Sequence, residues 1–176
     1  MKSTSAVLVA AISLTLGVGI GMAAKLKGAG ISVITGKPDQ EAGFAALAEA
    51  ERLAGKGSWE LIAVGRVYYL SGDRAKGETF FTRATSGKQT AGDYQRIAEI
   101  YAEAGDAAKA EENYGKMLVL DPEDDSQRAE VGAWYIRIGQ RAKAEQYLAK
   151  AFSMGHNDPS NYIRAAEGLL GVQPGR

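Results

Sequence analysis

Tyr68, Gly72, Gly77 and Phe81 return as Tyr101, Gly105, Ala110 and Tyr114, and again as Tyr135, Gly139, Ala144 and Leu148, at steps of 33 and then 34 residues. A chain that repeats itself at about 34 residues reads as an all-α array of helical hairpins, because one such unit cannot bury its own apolar face and needs a neighbour. Arrays of this kind hold partners rather than transform substrates. The period therefore constrains architecture and class of function together.

Length and composition agree with that reading. The 176 residues allow one domain and a short appendage, and the apolar share of 45% is that of a chain with a folded core. The 21 basic and 21 acidic residues cancel and form no basic stripe to follow a phosphate backbone, so nucleic acid is not an expected partner. The absence of cysteine excludes disulfides, thiolate metal sites and a cysteine-linked lipid.

The apolar run from Ser3 to Ala24 behind Lys2 has the outline of an export or anchor segment. Small residues at Gly21, Ala23 and Ala24 fit a signal peptide cleaved near Ala23 or Ala24. The length equally fits an uncleaved membrane helix, since about 20 residues at roughly 1.5 Å each cross a hydrocarbon core of about 30 Å. Gly17, Gly19, Gly21, Ser13 and Thr15 weaken the run as a stable span, whereas Lys25 and Lys27 hinder translocation of the chain beyond them. The organisation expected is a signal peptide or anchor over 1–24, a linker over 25–38, a helical domain over 39–171 and a tail over 172–176. An envelope location is implied, periplasmic or secreted after cleavage and membrane-anchored without it, with membrane contact only through 1–24.

The linker is rich in glycine and β-branched residues and ends at Pro38, which predicts irregular backbone with one short extended piece over 31–35. Gly36-Lys37 superficially resembles a phosphate-binding loop, but Ile31 stands where its first glycine belongs and Pro38 where a hydroxyl is needed for Mg²⁺. Gly17-Val-Gly-Ile-Gly sits inside the apolar leader with no strand before it, so it is no dinucleotide fingerprint. Beyond Pro38, Asp39 is an expected helix cap, and Phe44, Leu47, Ala48, Ala50 and Leu53 mark the apolar face of a helix running to about Ala54.

The later units resemble the tetratricopeptide repeat family over about three quarters of the chain. Its pattern W-x₂-L-G-x₂-Y…A-x₃-F…P lies best on Tyr94, Ile97, Ala98, Tyr101, Gly105, Ala110, Tyr114 and Pro122. The first unit offers Leu61, Val64, Gly65, Tyr68, Gly72, Gly77, Phe81 and Ala84, and the third Val131, Gly132, Tyr135, Gly139, Ala144, Leu148 and Ala151. A half-unit from Pro159 supplies Tyr162, Ala165, Ala166 and Leu169 as a closing cap, and residues 39–54 read as the rear half of a decayed first unit, with Gly43 and Leu47 in register. Small residues at Gly65, Ala98, Gly132 and Ala166, and at Gly43, Gly77, Ala110 and Ala144, let helices of a pair approach to about 8 to 10 Å. The large rings fill the gaps between layers, and Trp134 joins them.

The resemblance implies a concave groove along the first helices of successive pairs. Its lining would be Trp59, Ile62, Arg66, Tyr69, Gln95, Glu99, Ala102, Ser126, Ala129, Ala133, Ile136, Ile163 and Glu167. Relatives that grip an acidic carboxy-terminus use lysine and asparagine at such positions; here only Arg66 and Arg96 are cationic, so a mixed or apolar protein segment is the expected ligand. The acidic run Asp121, Glu123, Asp124 and Asp125 suits a helix start, and lacks the spacing of a calcium loop. With one histidine, His156, and no nucleophile turn, no catalytic residue, cofactor or metal site is expected. The function expected is a non-enzymatic envelope scaffold that holds a protein or peptide segment while a larger complex assembles. The alternatives are a periplasmic chaperone or maturation factor presenting an unfolded client, and a self-associating spacer; a homo-oligomer fits the array's open ends.

Overall fold

The structure, a computed structural model, describes residues 28–173. The expected leader and the last three tail residues lie outside that range. Among the described residues the fold is all-α, with no strand, and no helix is long and apolar enough to cross a membrane. A short 3₁₀ turn at Gly30–Val33 precedes eight helices: α1 Asp39–Leu53, α2 Ser58–Leu70, α3 Arg74–Ala84, α4 Ala91–Glu103, α5 Ala107–Leu120, α6 Asp125–Arg137, α7 Arg141–Met154 and α8 Pro159–Leu170. Three of the closest packings are α2 on α3, α4 on α5 and α6 on α7. Each pair is a hairpin built on one period of the sequence.

Two local expectations need correction. The piece over 31–35 is a 3₁₀ turn rather than a strand, held by Ser32 and Thr35 hydroxyls that donate to the carbonyls of Ala29 and Ile31; no neighbouring strand is there to take up an extended backbone. Asp39 is the first residue of α1 and not its cap, a place taken by Pro38. Its carboxylate still lies with Glu41 in the first turn, where the helix dipole favours negative charge. The apolar face expected for α1 is half covered: Leu47 is buried, but Phe44, Ala48 and Leu53 remain exposed, because among the described residues only α2 and the 3₁₀ turn pack closely against it.

The hairpin turns are set by sequence. Gly72, Gly105 and Gly139 adopt φ of 107°, 77° and 77°, the left-handed region in which a Cβ is strained. The following amides, Asp106 N–H and Gln140 N–H, fold back onto the carbonyls of Tyr101 and Tyr135 at 2.8 Å, closing helix ends that would otherwise leave carbonyls bare. Asp73, Thr90, Asp124 and Asp158 cap α3, α4, α6 and α8 through their side-chain oxygens.

Small residues then fix the crossings. A Cβ on Gly65 would sit 2.7 Å from the Phe81 ring, one on Gly77 2.9 Å from the Gly65 carbonyl oxygen, and one on Gly132 2.7 Å from Leu148. Ala98, Ala110 and Ala144 do the same work with no exposed surface. Between layers the rings mesh: Tyr101 meets Tyr69 and Phe81 edge-on, and Trp134 bridges Tyr114 and Tyr135.

The layers are not evenly spaced. α2 packs on α4, and α8 lies so close to α6 that a Cβ on Gly168 would be 2.8 Å from the Ala133 Cα. The α4 and α6 backbones, in contrast, do not pack side by side; the third pair meets the second through α5 and through the Tyr114, Trp134 and Tyr135 rings.

Candidate functional site

The first helices α2, α4 and α6 carry the residues expected to line a groove, and the structure divides them into two groups. Ile62, Tyr69, Ala129 and Ala133 are buried. In this structure these four pack inside the fold rather than on its open surface. Tyr69 places its ring edge-on to Tyr101 and donates its hydroxyl to Asp106, while Ala129 and Ala133 lie on α6, with α8 against it at Ala133. Ser126, Ala102 and Ile136 are half-buried, and Ile136 packs on the core edge. On α8, Ile163 is exposed and Glu167 accepts from Arg164 at 2.8 Å.

The accessible remainder centres on α2 and α4. Trp59, in the first turn of α2, is 64% exposed, and the Arg96 guanidinium lies 3.2 Å from its ring centroid. Burial lowers the Arg96 pKa, against the pull of Asp93 and Glu99, so this cation is partly stripped of water by its seat on the indole. Gln95 donates to Glu99 at 3.1 Å, and Arg66 of α2 makes a forked ion pair with Glu103 of α4 at 2.7 Å. The surface alternates an aromatic–cation stack, an amide–carboxylate pair and a bidentate ion pair.

Three groupings were not anticipated from the sequence. Tyr68, Tyr101 and Tyr135 each donate to a carboxylate on the preceding pair's second helix or on α1: Glu51, Glu78 and Glu111. Lys76, Lys109 and Lys143 bind those same carboxylates at 3.0, 2.6 and 2.9 Å and lie over the same rings. Each lysine follows its tyrosine by eight residues, a spacing that was present in the sequence as a signal. The second grouping is buried Glu130 on α6, within 3.2 Å of both Arg137 and Arg164. The third is Asn161, fully buried, whose amide donates to Asp125 at 2.7 Å and to the Gly155 carbonyl at 3.0 Å, pinning the start of α8.

A scan against protein-family models finds no match for the chain, and a search of curated proteins finds none that is similar.

Other chemistry-bearing residues have structural partners. Asp124 caps α6 and Asp125 receives Asn161. The His156 Nδ1 lies 3.1 Å from the Phe152 carbonyl oxygen on an exposed loop. Among the described residues no cluster of three or more potential metal ligands occurs.

Proposed function

We propose that the chain is a non-catalytic scaffold of the tetratricopeptide type, placed in the cell envelope by residues 1–24, that holds a segment of a partner protein along α2 and α4. The observation that carries this reading is Trp59, a large aromatic left exposed and backed by a cation held to its face, at the mouth of a row of polar pairs. Exposed aromatic and arginine side chains are the residues that anchor protein interfaces. The period, the left-handed turn glycines and the small crossing residues support the repeat type. The α8 helix covers the corresponding face of α6, so the ligand segment runs along the first two pairs and ends near Ser126 and Ile136.

A photoreactive amino acid placed in turn at Gln95, Ala102 and Glu123 in living cells tests this. One discrete partner captured from Gln95 and Ala102 but not from the loop position Glu123, and lost with Trp59→Ala, is the expected result. Capture that is equal from all three sites, or unaffected by Trp59→Ala, removes the proposal. The envelope location is checked by fractionation with intact mass: loss of about the first 23 residues, or retention in membranes after an alkaline wash, supports it, and full-length cytosolic protein refutes it.

A further inference from the structure

The fold begins and ends on half-pairs. Among the described residues, α1 is a second helix with no first helix packed on it, and α8 is a first helix with no second. Register makes the comparison concrete. Gly43 stands 34 residues before Gly77. At Gly77 the paired first helix comes so close that a Cβ would meet the Gly65 carbonyl at 2.9 Å, whereas nothing lies within 4 Å of a Cβ on Gly43. Beside Gly43 runs a groove of about 230 Å³ between α1 and α2, lined by Phe44, Leu47 and Val67 with Gln40 and Ser71 at its rim. Phe44 is 42% and Val67 46% exposed. The residues in register with Val67 on the later first helices, Ile100, Trp134 and Gly168, are all buried. The groove has the lining of a first helix's seat.

At the other end, Tyr162, Ala166 and Leu169 stand in register with Tyr94, Ala98 and Tyr101. In α4 all three are buried, Tyr101 among Tyr69 and Phe81 of the preceding pair; in α8 they are exposed, Tyr162 at 55% and Leu169 at 54%. The face of α8 that does pack, Asn161, Ala165 and Gly168, is the one turned to α6. The two ends are therefore complementary rather than merely apolar: one presents a small residue and a seat, the other a small residue and a helix.

We propose that α8 of one copy docks between α1 and α2 of a second copy, Ala166 against Gly43, so that two half-pairs make one whole pair. Such a contact joins different surfaces head to tail, and it builds rings or filaments according to whether the rotation closes. It leaves Trp59 and Gln95 outside the contact, so it stands or falls apart from the proposed ligand row.

Sedimentation of the full chain and of two variants, Phe44→Asp and Leu169→Asp, decides the matter, with circular dichroism confirming that both exposed substitutions leave the helices intact. Each carboxylate would be buried against apolar surface, so each variant alone is expected to associate about a hundredfold more weakly than the parent. An equimolar mixture restores one good seat and one good helix, and is expected to give a species of two chains and no larger. A parent chain that stays monomeric overturns the proposal. So does association that survives in both variants, which would assign it to another surface or to residues 1–27. Variants that each lose association without recovery in the mixture would show a same-face contact and also overturn it. Because the chain has no cysteine, oxidation of mixed Gly43→Cys and Ala166→Cys proteins gives a second readout. A disulfide-linked dimer is expected from the mixture, and its formation from either variant alone counts against the register.

Discussion

Tyr101 shows what the repeat does at the scale of a residue. Its ring fills the gap between layers while its hydroxyl donates to Glu78 at 2.6 Å, and Lys109 binds the same carboxylate. Tyr101→Phe keeps the ring and deletes that hydrogen bond, so denaturant unfolding should show a loss of about 1 kcal/mol. Burial, reinforced by Glu78 and Glu111, pushes the Tyr101 and Tyr135 phenols well above their ordinary value. A group whose pKa is raised on folding contributes stability that is whole below its unfolded pKa, about 10 for tyrosine, and lost as pH climbs toward the folded value. Stability should therefore decline above about pH 10, with phenolate absorbance appearing in step with unfolding, and the double Tyr101→Phe, Tyr135→Phe variant should flatten that limb. At the acid end Glu51 and Glu111 are lowered from 4.5, chiefly by hydrogen bonds from Lys76 and Lys143. Their contribution is present above that unfolded value and fades as pH falls through the folded one. The tyrosines were legible in the sequence because they recur at a fixed period. Their carboxylate partners were not, since Glu51 lies 17 residues before Tyr68, whereas Glu78 and Glu111 lie 23 and 24 before theirs. Among the described residues the unit from which Glu51 comes has only one helix, and a residue about two turns farther along α1 supplies the charge.

At the scale of an element, α8 is held by close approach and by a buried charge. A methyl at Gly168 would meet the Ala133 backbone at 2.8 to 2.9 Å, and backbone cannot yield as a side chain can. Gly168→Ala should cost about 1 to 3 kcal/mol, and in native-state hydrogen exchange the loss of protection should be confined to α8 and the α6 amides beneath it. Arg164 lies among Glu130, Glu167 and Glu99; burial would lower its pKa, but the Glu167 hydrogen bond and these charges raise it on balance. Arg164→Ala leaves Glu130 buried with Arg137 alone, and a loss of about 3 kcal/mol is expected in thermal or denaturant unfolding. The sequence began the closing half-unit at Pro159, where α8 does begin, and laid the repeat's spacings on Tyr162, Ala165, Ala166 and Leu169. Of these only Ala165 is buried. The pattern recorded the face that a second helix would cover, and no such helix follows within the described residues. The same logic separates the groove residues: periodicity places Ile62, Tyr69, Ala129 and Ala133 on first helices, yet whether a neighbour lies over them depends on the spacing of layers, which no single helix encodes.

Across the whole molecule the array was legible and its unevenness was not. Three hairpins and two flanking helices follow from the period alone, but nothing in the period says that α4 and α6 stand apart while α6 and α8 touch. The difference traces to single residues in register. The position held by Ile100 in α4 and Gly168 in α8 is held in α6 by Trp134, whose bulk keeps the backbones apart and whose ring joins Tyr114 to Tyr135. Trp134→Ala should cost about 3 to 5 kcal/mol, and hydrogen exchange should then give separate opening energies for α1 to α5 and α6 to α8, where the parent opens as one. The indole at this joint is a keystone, since the two stretches of helix on either side of it lean on one another through stacked rings where α6 and α8 meet backbone to backbone.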